Sequence, residues 1–227
     1  MTNTDTKAQK CIAILGGSFD PVHVGHVALA ETMCHLLKPS QVRIMPSGWS
    51  WQKNAFHTST QHRLAMLTLA FKDLAKQVPL CIDEQEIKRA ELGIPSFSID
   101  TLTNLRNEYG ASAALVFIIG ADQLLQLQSW KNWGHLFDLA HIAVATRPGF
   151  DLENVNSAVA AEFKQRTGSI EQLRTSPFGH TFLCRDLAVD ISSTEIRHGA
   201  TVANKVANTL SLIPPEVLSY IQQHHLF

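Results

Sequence analysis

Short apolar runs punctuated by glycine and proline alternate with stretches of helical period along most of this 227-residue chain. The first run, Cys11 to Leu15, is apolar throughout and stops at Gly16-Gly17, the pattern of a strand buried on both faces. Val24, Val27, Ala28, Cys34 and Leu37 then recur near the 3.6-residue period of a helix. Gln41 to Met45 reads as a second strand closed by Pro46, and Gln61 to Lys76 as a helix with Leu64, Leu67, Thr68 and Phe71 on one face. Further strands are predicted at Leu80 to Ile82, Ala114 to Ile119, Ala140 to Ala145 and Thr181 to Cys184. Helices are predicted from about Ile99 to Glu108, from Leu152 to Gln165 and from Pro215 to Gln223.

Strands that alternate with helices make an α/β fold, a Rossmann-like doubly wound parallel sheet. Such sheets bind ligands beyond the carboxyl ends of their strands. Gly16, Gly120 and Arg147 each follow a predicted strand directly, so all three are expected at that edge. The loop from Pro46 to Thr60 is longer than most αβ connections and carries Trp, Ser and Lys, which favours a binding loop. One domain is expected over residues 11–227, preceded by a mobile polar tail over residues 1–10.

The densest candidate chemistry is Gly16-Gly17-Ser18-Phe19-Asp20-Pro21-Val22-His23-Val24-Gly25-His26, a glycine turn leading into a helix start. Two glycines allow a sharp turn and leave no Cβ between backbone and ligand. His23 and His26 are three apart, so on a helix their rings share a face. Unpaired N–H groups and the positive end of the helix dipole favour an anion there. This is a phosphate site without a Walker lysine. A zinc pair is the competing reading, but the chain has no Cys-x-x-Cys, no His-Glu-x-x-His and no third ligand of the right type nearby.

This segment resembles the signature of the nucleotidyltransferase superfamily with the His-x-Gly-His motif. Near the other end, Ile191-Ser192-Ser193-Thr194-Glu195-Ile196-Arg197 resembles the same superfamily's second motif, in the same order and separation. Phe117-Ile118-Ile119-Gly120-Ala121-Asp122, Ser129-Trp130, Arg147-Pro148-Gly149 and Pro95 to Leu102 extend the likeness from about Cys11 to Tyr220. Together they resemble the bacterial nicotinate-nucleotide adenylyltransferases. Pantetheine-phosphate adenylyltransferases share the first motif but are usually shorter and lack this Trp and Arg-Pro-Gly.

The resemblance implies transfer of AMP from ATP to nicotinate mononucleotide, giving deamido-NAD and pyrophosphate. The nucleophile is already an anion, so catalysis reduces to aligning two polyanions and neutralising developing charge. It implies His26 at the transition state, His23 at the α-phosphate, Lys53 and Arg197 as further cations, and Gly16, Gly17, Ser18 and Phe19 around ATP. Ser18 stands where the family commonly has threonine, and Gln52 where it commonly has histidine. Ser192 and Glu195 match a capping box, so that segment reads as a capped helix whose N-terminus, with Ser193, also suits the β- and γ-phosphates. Lys53 reads equally as an exposed lysine. Asp122 suits a ribose hydroxyl or a helix cap. For the acceptor the resemblance implies Ser98 and the Lys131 backbone N–H at the nicotinate carboxylate, Trp130 against the pyridine ring, and Arg147 facing ligand. Core packing is the alternative for Trp130, and a surface ion pair for Arg147. Mg²⁺ is implied by ATP, held largely through phosphates and water with no dedicated protein ligand.

Bulk properties narrow the partners. A formal charge of −1 with 17% charged residues lacks the basic excess of nucleic-acid or membrane-surface binders, so any phosphate site is local. Cys11, Cys34, Cys81 and Cys184 are widely spaced and read as small apolar residues of a reducing compartment. Met1 to Lys10 has no signal-peptide core, and the apolar stretch from Ala111 to Ile119 is too short for a bilayer, which points to the cytoplasm. Beside the leading reading stand the same chemistry with nicotinamide mononucleotide or pantetheine phosphate as acceptor, and a nucleotide-binding module without turnover.

Overall fold

The computed structural model describes residues 9–48, 56–146, 150–185 and 211–227. Six strands, β1 (Cys11–Gly17), β2 (Gln41–Pro46), β3 (Leu80–Ile82), β4 (Ala114–Gly120), β5 (His141–Ala145) and β6 (Thr181–Cys184), form one sheet in the order β3-β2-β1-β4-β5-β6. Every pairing is parallel, with Leu15 opposite Ile44 on one side and Ile118 on the other. The strand order reverses between β1 and β4, so the crevice of a doubly wound sheet opens where Gly17 and Gly120 end their strands.

Alternate strand residues build two separate cores, because successive side chains point to opposite faces. Ala13, Leu15, Ile44, Val116, Ile118 and Ala143 face one layer. It includes residues of α1 (Val24–Leu37), α2 (Thr60–Ala70), α7 (Ile170–Thr175) and the C-terminal α8 (Pro215–Gln223). Ile12, Ile14, Leu115, Phe117, Ile142 and Val144 face the other, with α4 (Ser98–Tyr109), α5 (Ala121–Gln126) and α6 (Ser157–Gln165). This double burial explains why β1, β4 and β5 are apolar almost without interruption.

The predicted strands stand within two residues of their observed bounds; the helices differ more. The Gln61–Lys76 helix stops at Ala70 and resumes as a 3₁₀ turn at Leu74–Lys76, and the Leu152–Gln165 helix is a 3₁₀ turn at Leu152–Asn154 followed by α6. The short helices α3 (Gln85–Glu91) and α7 lie where none is predicted. In α1 the buried stripe is Gly25, Leu29, Ala30, Met33 and Leu37, rotated from the predicted one because this helix is apolar on nearly every side. In α2 the buried residues are Arg63, Met66 and Leu67, so an arginine occupies a core position.

His141 at the start of β5 shows how a titratable side chain is made part of this core. It is fully buried, its Nε2 lies 2.7 Å from the Ser176 carbonyl, and its Nδ1 accepts from the His180 N–H at 3.0 Å. Both nitrogens are therefore satisfied in the neutral ring with its proton on Nε2. Burial pushes this imidazole down to about 4 from an ordinary 6.5. The unfolded chain thus takes up a proton on acidification that the folded one refuses. The contribution is complete above pH 6.5 and is lost as pH falls through about 4, on the order of 3 kcal/mol in all. Urea unfolding of His141→Asn across that window is expected to show a shallower loss of stability with acid than the wild type; parallel curves would contradict the assignment.

Candidate active site

The turn leaving β1 is shaped by two aromatic rings that press on its glycines. A Cβ on Gly16 would stand 3.0 Å from the Phe117 ring, and one on Gly17 would stand 2.9 Å from the Phe19 ring. Phe19 is fully buried and has a φ of +46°, a left-handed conformation that costs a non-glycine residue about 1–2 kcal/mol and is held here by packing of its ring. The chain then enters α1 with His23 as N-cap, in extended backbone, and His26 as the third helical residue.

The two imidazoles stack, with centroids 3.7 Å apart, and the edge of Phe19 meets His26 at 4.8 Å. His23 is 95% buried and His26 half-buried, so both rings have fixed orientations at the helix start. The His23 backbone N–H donates to Nδ1 of His26 at 3.3 Å. A neutral His26 therefore carries its proton on Nε2, which becomes a donor suited to a phosphate oxygen. The spacing seen in the sequence thus does more than put two rings on one face: one of the helix's orphan N–H groups selects the tautomer of its neighbour.

Three distant segments hold the turn in place. The carbonyl of Gly17 accepts from the Ser47 N–H at 2.9 Å, and that of Ser18 from Nη1 of Arg63 at 2.8 Å. Asp20, 2% exposed, accepts from the N–H groups of His57 and Thr58 at 2.6 and 3.2 Å and from the Thr58 hydroxyl at 2.6 Å. These are the last residues before α2, whose N-cap is Ser59. The N–H of Val24 donates to the Leu212 carbonyl at 2.9 Å, so residues 211–213 return to the first turn of α1. Arg63, Ser47, Thr58 and the role of Asp20 are all beyond sequence reasoning, the first because a charged residue in a helical pattern reads as exposed.

A second group of predicted residues gathers on the other side of Phe117. Its ring, in contact distance of Gly16, lies 6.3 Å from that of Trp130, so one aromatic surface joins the glycine turn to Trp130. Trp130 is half-buried and packs on the core; among the described residues its buried indole N–H has no hydrogen-bond partner. Lys131 reaches Asp100 at 3.5 Å and lies 4.5 Å over the ring of Phe97. Ser98, the first residue of α4, lies between these two partners of Lys131 in the chain. Asp122 is exposed in the first turn of α5, directly after Gly120.

An unpredicted buried unit supports this half. Glu86 accepts from the Thr101 hydroxyl at 2.8 Å and from the Gly48 N–H, Arg89 bonds Thr101, and Ser96 donates to the Glu86 carbonyl at 3.0 Å. Burial raises the proton affinity of Glu86, while Thr101 and Arg89 oppose that. Only glycine fits at position 48, where a Cβ would stand 1.9 Å from the Glu86 carbonyl oxygen. Lys53, Arg147, Ser192, Ser193 and Arg197 lie outside the described residues.

With this geometry in hand, comparison with known proteins gives a consistent picture. A family model described as cytidylyltransferase-like matches residues 14–199. The chain is 48% identical over 220 residues to a probable nicotinate-nucleotide adenylyltransferase of Herminiimonas arsenicoxydans, spanning 96% of this chain and 97% of that one. It is 39% identical over 216 residues to a protein of the same description from Laribacter hongkongensis, spanning 95% and 94%. The solved structure of Plasmodium falciparum nicotinic acid mononucleotide adenylyltransferase complexed with NaAD shares the fold, with a TM-score of 0.71 at 20% identity over 96% of this chain and 97% of that one.

Removing the Asp20 carboxylate would leave the buried N–H and hydroxyl of Thr58 and the part-buried N–H of His57 without their acceptor. Asp20→Ala is expected to lower unfolding free energy in urea by about 2–4 kcal/mol, and Asp20→Asn to recover part of it. A loss below about 0.5 kcal/mol would mean that water replaces the carboxylate at no net cost.

Proposed function

The chain belongs to the nicotinate-nucleotide adenylyltransferases within the cytidylyltransferase-like family, and from that premise we propose how its residues carry the reaction. The enzyme transfers AMP from ATP to nicotinate mononucleotide and releases pyrophosphate, making the dinucleotide deamido-NAD for NAD biosynthesis. The observation that carries the residue assignment is the stacked His23–His26 pair at the end of the glycine turn, with the tautomer of His26 set by the His23 N–H.

On this reading ATP lies across Gly16, Gly17, Ser18 and Phe19 with its phosphates at the start of α1. The attacking phosphate needs no general base. His26 donates from Nε2 to the phosphoryl oxygens as charge grows on the bridging oxygen and pyrophosphate, and His23 positions the α-phosphate. Lys53 and Arg197, with Ser192 and Ser193, supply further positive charge and donors to the polyphosphate. Asp122 accepts from a ribose hydroxyl. Nicotinate mononucleotide occupies the other half: Trp130 lies against the pyridine ring, Ser98 and the Lys131 N–H hold its carboxylate, and Arg147 faces its phosphate side.

Among the described residues no group of three His, Cys, Asp or Glu is placed to hold a metal ion. The donors around the turn are N–H groups and cationic side chains, which fits a divalent ion, Mg²⁺, delivered on the polyphosphate and largely hydrated. Such an ion supplies charge neutralisation on the phosphates. No helix of the described residues is long and apolar enough to cross a membrane.

The deciding experiment measures pyrophosphate and dinucleotide formed from ATP and Mg²⁺, with nicotinate and nicotinamide mononucleotides offered in parallel. Preference for the nicotinate form is expected. Preference for the amide, or product only with pantetheine phosphate, would reassign the acceptor, and ATP binding without product would leave a nucleotide-binding module. Within the proposed mechanism His26→Ala is expected to lower kcat by about 10²–10³ while KM for nicotinate mononucleotide stays within about threefold. Equal losses in binding and turnover would make His26 a uniform binder.

A further inference from the structure

Arg63 is the largest fully buried side chain of the described residues, and it is charged. It extends from α2 beneath the turn that leaves β1, where Nη1 donates to the Ser18 carbonyl at 2.8 Å. The ring of Phe56 covers its guanidinium face at 3.8 Å. Nε and Nη2 are buried with no hydrogen-bond partner, and among the described residues no carboxylate comes within ion-pair distance. The Asp20 and Glu86 carboxylates both act on Arg63, but through space and beyond ion-pair distance.

A buried cation with unpartnered nitrogens and no carboxylate in direct contact is costly, and proteins seldom keep one unless something further compensates it. A structural role alone would need only the single bond to Ser18, which a neutral donor could make. Burial lowers the proton affinity of this guanidinium, but arginine starts so high that it remains charged at neutral pH. Its charge then sits one hydrogen bond below the backbone proposed to cradle phosphate, in a place where water does not screen it.

We infer that Arg63 is a positioning residue of the nucleotide site: it fixes the direction of the Gly17-Ser18-Phe19 backbone, and its incompletely compensated charge draws the polyphosphate onto that turn from below. The inference rests on the reading of this turn as the polyphosphate site. It assigns Arg63 no contact with substrate; the ligand's charge adds, across the turn, to the compensation that Asp20 and Glu86 supply from a distance.

The test uses inorganic tripolyphosphate, so that binding is read without turnover. Thermal unfolding with and without it is compared for wild type, Arg63→Met and Arg63→Lys, alongside kcat and KM for ATP. Ligand stabilisation reports affinity for the folded state independently of the apo Tm. Arg63→Met is expected to show at most half the wild-type Tm shift and at least a tenfold lower kcat/KM for ATP. Arg63→Lys, measured at pH 6 beside the wild type so that the buried amine holds its proton, keeps the charge but not the fork and is expected to keep the shift while kcat falls severalfold. Wild-type shift and kcat/KM in Arg63→Met, whatever happens to its apo Tm, would make Arg63 a packing element and overturn the inference. If Arg63→Met does not fold, Arg63→Lys decides: loss of the whole shift with charge retained overturns it. No shift in the wild type itself would instead overturn the polyphosphate reading of the turn.

Discussion

Buried backbone N–H and C=O groups must find partners, and in this molecule the tight turn after β1 finds them in four different parts of the chain. Gly17 is paired by Ser47 beyond β2, Ser18 by Arg63 of α2, the His23 N–H by the His26 ring, and the Val24 N–H by Leu212 near the C-terminus. Asp20 adds a side-chain link to the residues that precede α2. The candidate site is therefore the joint at which these segments meet, and the orientation of its histidines follows from the pairing. Loosening any partner frees a backbone group on which a ring or a ligand depends.

The parallel sheet makes this convergence possible. Because every strand runs the same way, the exits of β1, β2, β4 and β5 share one edge, and register places Gly17 beside Pro46 and Gly120 beside Ala145. Phe117, on β4, then touches the glycine turn on one side and faces Trp130 on the other. A residue whose sequence context shows only a buried strand thus becomes the wall shared by the two halves of the site.

What was legible in the sequence is what depends on neighbours along the chain. The strands were legible because burial on both faces demands unbroken apolar runs, and the glycine-histidine segment because turn, cap and helix start are all local. Helix α3 was not, since Ile87 is its one buried apolar residue and Glu86 its other buried one, which leaves no period to read. The face of α1 was not, because an all-round apolar helix does not declare which side is inward. The supports of the site were the least legible. Arg63 lies 45 residues from the carbonyl it pairs, and Thr58 38 residues from Asp20, with nothing in either segment that names its partner.

Electrostatics separates this site from a carboxylate-based one. Two buried carboxylates of this half of the molecule are occupied inward: Asp20 by amides and a hydroxyl, Glu86 by Thr101, the Gly48 N–H and the neighbouring Arg89. Their oxygens are turned toward protein donors, so they hold loops while offering little repulsion to an incoming anion. A chain of formal charge −1 can then present a locally positive edge through geometry, with a glycine turn and a helix start at the strand ends and a buried guanidinium behind them. That arrangement is preorganised: the donors are fixed by backbone pairing before ligand arrives, and they need no reorientation as charge develops on a phosphoryl group. It also explains why the cation beneath the turn is an arginine. Of the two basic side chains only arginine has a planar face that Phe56 can cover while leaving N–H groups aimed in more than one direction.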